Sequence, residues 1–246
     1  MKNCNTKWAL ALFLSAFVLI STSALAFLPS VNWILNRAVA LYLESPTKSI
    51  RVSMEGYDLS ESNQKLARSE KAFFKRGYNF RREANQGDRS IIEIMGKGNV
   101  KQRLADFPAE VFPEFMQLYY SLHKGEKGPQ GSAVLLAALE RTGVDTSVIS
   151  INRHNSDIVW VIGAKPNEPL KTQVWLTKKH FRPVRVVLNN GRESLDWRFL
   201  GEQRFDDKPF LFAGLELRWN GRLVRKLEVT EFKMNQKLSK DLFTKK

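Results

Sequence analysis

The chain has 246 residues, with 39 Lys and Arg against 25 Asp and Glu, and a formal net charge of +14. Its 43% hydrophobic and 26% charged residues are those of a folded globular chain and exclude disordered and collagen-like classes. The single cysteine, Cys4, excludes a disulfide framework or a thiolate metal site, and His123, His154 and His180 lack the mutual spacing of a histidine-bound zinc. No dinucleotide fingerprint, P-loop, Gly-x-Ser-x-Gly or His-Glu-x-x-His motif is present, and no cofactor or metal is expected.

Lys2 and Lys7 precede an apolar run from Trp8 to Ile20 that only Ser15 interrupts, and Ala24-Leu25-Ala26 follows. This pattern predicts a signal peptide, residues 1–26, cut after Ala26. The competing reading is an uncleaved membrane anchor, because Trp8–Leu28 carries no charge and is near the ~20 residues that span a bilayer. Cys4 lies before the apolar run and is not a lipoprotein cysteine. Cleavage leaves a cysteine-free basic chain, residues 27–246, suited to an oxidising compartment. The expected address is the periplasm. The positive charge is either a solvated surface or an attraction to anionic lipid headgroups. Nucleic acid is not an expected partner of an exported chain.

Ser30 caps a predicted helix that runs to about Glu44, with Val31, Ile34, Leu35, Ala38, Val39 and Tyr42 on one stripe; Pro46 stops it. The period then changes to two. Ile50, Val52 and Met54 alternate with Arg51, Ser53 and Glu55, and further strands are predicted near Lys65–Lys75, Tyr78–Ala84 and Arg89–Met95. Helical spacing returns over Pro108–Lys124 (Val111, Phe112, Phe115, Met116, Tyr119, Leu122) and, opened by Ser132, over Ala133–Arg141. Strands resume at Ser147–Arg153, Ile158–Gly163, Thr172–Thr177, Val184–Leu188, Ser194–Leu200, Gly214–Trp219 and Leu223–Phe232. The last pair is joined at Asn220-Gly221, a favoured two-residue hairpin turn.

Short connections make nearly all strand pairs antiparallel, and about ten strands in one sheet must curl. One sheet face reads as apolar and the other as polar and basic (Arg185, Arg198, Arg218, Lys226). Three apolar-striped helices must bury their stripes. The expected fold is therefore α+β: a strongly curved, incomplete antiparallel β-barrel of about 10–11 strands. An N-terminal helix and a helical hairpin cover its concave apolar face. Such a shape can enclose an apolar cavity, a common small-molecule site in barrel mouths. An acyl chain gains ~0.8 kcal/mol per buried CH₂ there. Taken singly, each aromatic is better read as plain core; the lipid reading rests on the architecture.

Three stretches carry a family resemblance. The first is Phe73-Phe74-Lys75-Arg76-Gly77-Tyr78-Asn79-Phe80-Arg81-Arg82-Glu83. The second is Gly131–Leu136, then Val148–Asn152 and Ile158–Ile162, ending near Lys165-Pro166. The third is Thr172–Leu176, Phe181-Arg182-Pro183-Val184-Arg185, Leu227–Leu238 and Asp241-Leu242-Phe243. In order and spacing these resemble the periplasmic lipoprotein-carrier (LolA-like and LolB-like) superfamily over most of the chain after residue 26. The resemblance implies one LolA-like lipid-binding domain over residues 27–246, an unclosed barrel of about eleven strands, and a helical lid. It also implies that Arg76, at the position of the family's lid-bonding arginine, holds the lid shut; read by itself, Arg76 is a solvated arginine on an edge hairpin. Gly77 stands where the family has Pro, and Arg82 where an aromatic is common.

The candidate lipid-contacting residues are Phe73, Arg76, Phe80, Phe112, Phe115, Leu135, Trp160, Trp175, Trp197, Phe199, Leu217 and Trp219. The function expected is a non-enzymatic, monomeric carrier that shelters lipid or lipoprotein acyl chains during outer-membrane sorting. Its expected partners are the cargo and either an anionic membrane surface or an inner-membrane export complex. The alternatives are an envelope sensor or accessory scaffold that binds a protein partner, and an enzyme for which Asp157, His154 and Glu83 are the polar candidates.

Overall fold

The structure is a computed structural model and describes residues 28–96, 99–101, 111–122, 129–205 and 208–244. It begins with α1 (Val31–Glu44), where the Ser30 hydroxyl accepts the Trp33 N–H at 3.3 Å. The predicted stripe Val31, Ile34, Leu35, Ala38, Val39 and Tyr42 is the buried face. Helix α2 (Glu114–Ser121) starts behind Pro113. Of the helix expected over Pro108–Lys124, residues 111–113 are non-helical chain ahead of α2 and 122 follows its end, while 108–110 and 123–124 lie outside the described residues. Helix α3 (Pro129–Arg141) begins four residues before the expected Ala133. Pro129 supplies a helical φ at a position that has no intrahelical N–H bond to lose. Helices α1 and α2 both pack against α3.

The strands are β1 (Ser49–Leu59), β2 (Lys65–Lys75), β3 (Asn79–Gln86), β4 (Arg89–Gly96) and β5 (Asn99–Lys101), then β6 (Ile149–His154), β7 (Asp157–Ile162), β8 (Gln173–Thr177), β9 (Pro183–Asn189) and β10 (Ser194–Leu200). After these come a small ribbon of β11 (Gln203–Phe205) and β12 (Lys208–Leu211), then β13 (Gly214–Trp219) and β14 (Arg222–Met234). The main sheet has twelve strands in the order β5-β4-β3-β2-β1-β14-β13-β10-β9-β8-β7-β6. Every pair is antiparallel, and among the described residues β5 and β6 are unjoined edges, so the barrel is incomplete. The twelfth strand is the three-residue β5, too short to leave an alternation pattern. Bulges at Ser53/Met54 and Leu217/Arg218 bend the long central strands β1, β13 and β14. The strand β14 joins the two halves, because it pairs with β1 on one side and with β13 on the other.

Two glycines are set by geometry. Asn220 and Gly221 both have positive φ (48° and 82°), as a tight hairpin turn between β13 and β14 requires. A Cβ on Gly56 would lie 2.1 Å from the Lys226 carbonyl oxygen and 2.9 Å from the Leu227 Cα, so β1 and β14 meet here with no room for a side chain.

Strand register sorts the side chains into two faces. Phe74, Phe80 and Met95 pair across β2–β4, and Trp197 pairs with Leu217 and Val186 across β9, β10 and β13; all belong to the buried core under the helices. On the opposite face Arg185, Arg198, Glu216 and Lys226 follow one another from strand to strand, as the predicted polar exterior requires. Arg185 is nevertheless buried, because Asp196 holds it from the neighbouring strand.

Candidate functional site

The concave face has an aromatic sector and an ionic one. In the aromatic sector Phe112, just ahead of α2, is the hub. Its ring stacks on Phe80 at 5.7 Å and meets Trp197 at 5.7 Å and Phe199 at 6.0 Å. Phe74, Tyr120 and Phe212 extend the cluster, and Tyr119 joins it to Phe115 and Tyr42. Leu135, Leu217 and Trp160 belong to the same core, and Trp219 packs at its margin. Of the predicted lining residues, the structure therefore brings together Phe80, Phe112, Phe115, Leu135, Trp160, Trp197, Phe199, Leu217 and Trp219. The indole N–H groups of Trp160 and Trp197 are buried and have no hydrogen-bond partner among the described residues.

Two predicted residues are on the wrong side of the sheet. Phe73 pairs with Arg51 and Arg81 while its neighbour Phe74 faces the core, because consecutive strand residues point to opposite faces. The C-terminal segment lies on that outer side: Arg81 Nη1 donates to the Leu242 carbonyl at 3.1 Å, and Lys75 Nζ to the Leu238 carbonyl at 2.8 Å. Trp175 likewise faces outward, in a small separate cluster with Val159, Val161, Ala164 and Val184. The Arg185 guanidinium lies over its ring at 4.5 Å, and its N–H donates to Gln173 Oε1 at 2.6 Å.

Arg76 connects the β2–β3 hairpin to a helix. Its Nη2 donates to the Ser45 carbonyl, at the end of α1, at 2.7 Å. The hairpin also holds α2, since the Gly77 and Tyr78 N–H groups both donate to the Ser121 carbonyl at 3.1 and 2.9 Å. Tyr42 Oη then donates to the Tyr120 carbonyl at 2.6 Å, which ties α1 to α2.

The ionic sector was not anticipated. Below Phe74 and Phe80, the inward positions of β1–β4 and β14 are Asp58, Arg68, Glu70, Arg82, Glu93 and Arg225, all buried. Glu70 accepts from Arg68 Nε at 2.6 Å and Arg82 Nη1 at 3.2 Å, and Arg225 Nη1 lies 3.6 Å away. Asp58 accepts from Arg225 Nε at 2.7 Å, Arg68 Nη1 at 3.0 Å and Gln86 Nε2 at 3.1 Å. Glu93 accepts from Arg82 Nε at 3.0 Å, from the Phe112 N–H at 3.2 Å and from Gln117 Nε2 at 2.5 Å. Glu93 thus reaches from the sheet to α2.

The two glutamates respond oppositely to burial. Desolvation alone would raise Glu70, but Arg82, Arg225 and Arg68 outweigh it and hold the carboxyl at about 2. At Glu93 desolvation prevails over Arg82 and the hydrogen bonds from Phe112 and Gln117, and raises the carboxyl above its ordinary range. One sequence signal could have revealed the network. Arg68 and Glu70 share the parity of Phe74, and Arg82 shares that of Phe80, which places all three charges on the core face.

The polar residues weighed for catalysis are scattered. Glu83 is on the outer face of β3, paired with Arg81 at 2.7 Å. His154 and Asp157 oppose each other at the β6–β7 turn, on the far side of the sheet. His154 stands edge-on to Trp175 at 5.8 Å, and burial with the nearby Arg185 and Arg198 lowers its pKa.

An open antiparallel sheet, bent around an aromatic interior and roofed by helices, is the LolA-like fold. No family model matches the sequence, and no curated protein matches it. Among solved structures, a LolA superfamily protein of Nitrosomonas europaea matches at TM-score 0.50 and 12% identity, covering 89% of this chain and 99% of its own. A DUF1329 family protein of Desulfovibrio piger matches at TM-score 0.51 and 9% identity, covering 88% and 98%. A Vibrio parahaemolyticus domain, provisionally assigned to outer membrane lipoprotein sorting, matches at TM-score 0.49 and 13% identity, covering 85% and 95%.

Proposed function

We propose that the protein is a non-enzymatic, monomeric periplasmic carrier whose concave aromatic sector shelters the acyl chains of a lipid or lipoprotein. In this reading residues 1–26 are a signal peptide, and residues 27–246 are the carrier domain. The observation that carries the proposal is the pair of buried, unpartnered indole N–H groups of Trp160 and Trp197 on the concave face. A buried donor left unsatisfied costs about 1–3 kcal/mol, and an ester or carboxyl oxygen at the head of an acyl chain would satisfy it. The surrounding rings supply the apolar wall, where each buried CH₂ gains ~0.8 kcal/mol. Besides its buried apolar face, the roof is held by the bonds at the β2–β3 hairpin and by those of Glu93, and these are the contacts that must open for cargo. The fold is shared with a LolA superfamily protein, and the Vibrio relative's provisional assignment is to lipoprotein sorting.

The test uses a fatty acid carrying an environment-sensitive fluorophore. Its emission should rise on mixing with the protein, and Trp197→Phe should weaken binding several-fold, the effect of removing one hydrogen bond of about 1 kcal/mol. The outward Phe73→Ser should leave binding unchanged. A probe that stays in water in the presence of the protein would defeat the proposal.

A further inference from the structure

The sheet edge at β6–β7, the start of α1 and the β8–β9 turn meet at one end of the molecule. The Trp33 ring contacts Phe181 of that turn at 5.8 Å, and the Lys178 N–H donates to the Ile158 carbonyl of β7 at 2.8 Å. Four large apolar side chains are exposed here: Leu28 (39%), Trp33 (51%), Ile151 (39%) and Ile158 (46%). Ile151 pairs with Trp160 on the inward face, so this apolar rim continues directly into the aromatic sector. Arg37, one turn beyond Trp33, and Arg153, Lys178 and Lys179 are exposed around it. The nearby acidic groups are Asp157 and Glu202, both close enough to act on His180.

We propose that this rim is a docking surface for an anionic lipid bilayer. Half-exposed Trp and aliphatic side chains ringed by cations match the chemistry of a membrane interface, where an indole sits at headgroup level and Lys and Arg meet anionic lipid. The rim cations outnumber its acids, in a chain of net charge +14. The uncharged segment Trp8–Leu28 ends immediately before α1. A membrane holding that segment, as leader or as anchor, therefore meets the Trp33 end of the domain first. Docking also covers β6, which bears Ile151 and is the sheet's edge strand among the described residues. The inference extends the carrier reading by giving cargo a dry path from bilayer to sheet, but the bilayer contact is measurable without any cargo.

The experiment labels the full chain carrying Cys4→Ser and Ile158→Cys with NBD, and adds vesicles of phosphatidylcholine with or without phosphatidylglycerol. A control probe is placed by Lys71→Cys on the outer face of β2. The 158 probe should shift to the blue with phosphatidylglycerol vesicles while the 71 probe does not. Lys178→Ser with Lys179→Ser should weaken vesicle affinity ~30-fold, from about 1 kcal/mol per lysine. Trp33→Ser should reduce the shift. An unshifted 158 probe, equal shifts at 158 and 71, or insensitivity to the lysines overturns the docking surface. An attachment through the N-terminal segment alone gives the first of these results. Failure of the carrier reading would appear instead in the fatty-acid assay, with the 158 shift intact.

Discussion

Replacing Glu70 by Gln removes the anion at which three arginines converge while preserving its shape. Glu70 is held by Arg68 at 2.6 Å, Arg82 at 3.2 Å and Arg225 at 3.6 Å. Its carboxyl falls from an unfolded value of 4.5 to about 2, and at 1.36 kcal/mol per pH unit this is roughly 3 kcal/mol of stability at neutral pH. Removing one partner of a buried ion pair costs about 3–5 kcal/mol by a separate line of measurement, so the two figures agree. A depressed carboxylate contributes fully above its unfolded pKa and loses that contribution as pH falls through its folded one. The penalty of Glu70→Gln should therefore be about 3 kcal/mol at pH 7, shrink between pH 4.5 and 2, and vanish below. Urea unfolding followed by tryptophan fluorescence at pH 7, 5, 3 and 2 gives the curve. Running it also in a Glu93→Gln background removes the opposing titration of the other glutamate. A penalty under about 1 kcal/mol at pH 7, or one undiminished at pH 2, would refute the reasoning.

The remaining predictions concern the roof and the strand crossing. Glu93 has a raised carboxyl, so wild-type stability is fullest below the unfolded pKa and declines as pH rises through the folded one; Glu93→Gln should lack that decline. Melting curves from pH 4 to 8 that stay parallel for the two proteins would contradict this. Arg76→Leu deletes the 2.7 Å bond to the end of α1, should cost about 1.5–3 kcal/mol, and should speed release of the fluorescent fatty acid. An unchanged release rate in stopped flow would remove Arg76 from the latch. Gly56→Ala must push β1 off β14 and should lower the urea midpoint by the equivalent of about 1–3 kcal/mol; an unchanged midpoint would mean the crossing yields.

Where local pattern and burial agree, the sequence was a good guide. α1 shows its cap, stripe and stop between Ser30 and Pro46, and each predicted strand has its partner in the sheet. The strands β5, β11 and β12 were not legible, since three or four residues carry no period. Two of the aromatics expected on the inner face, Phe73 and Trp175, lie on the outer one, because aromatic identity was given more weight than parity. Only one of Phe73 and Phe74 can face inward, and the register chooses Phe74. Trp175 is turned outward by the same alternation, and a cationic partner, Arg185, covers its ring. The converse error hid the ionic sector: Arg68, Glu70 and Arg82 look like surface charges until their parity with Phe74 and Phe80 is counted. Their burial depends on Asp58 and Arg225, from β1 and β14, which are distant in sequence and adjacent only in the folded sheet.

As a carrier, the protein holds another molecule's hydrocarbon against its aromatic sector. Native mass spectrometry of protein isolated without detergent, followed by organic extraction, measures this directly. The account predicts an acyl lipid bound near one per chain and depleted in Trp197→Phe. A stably folded protein that carries no lipid, and acquires none from vesicles, would contradict it.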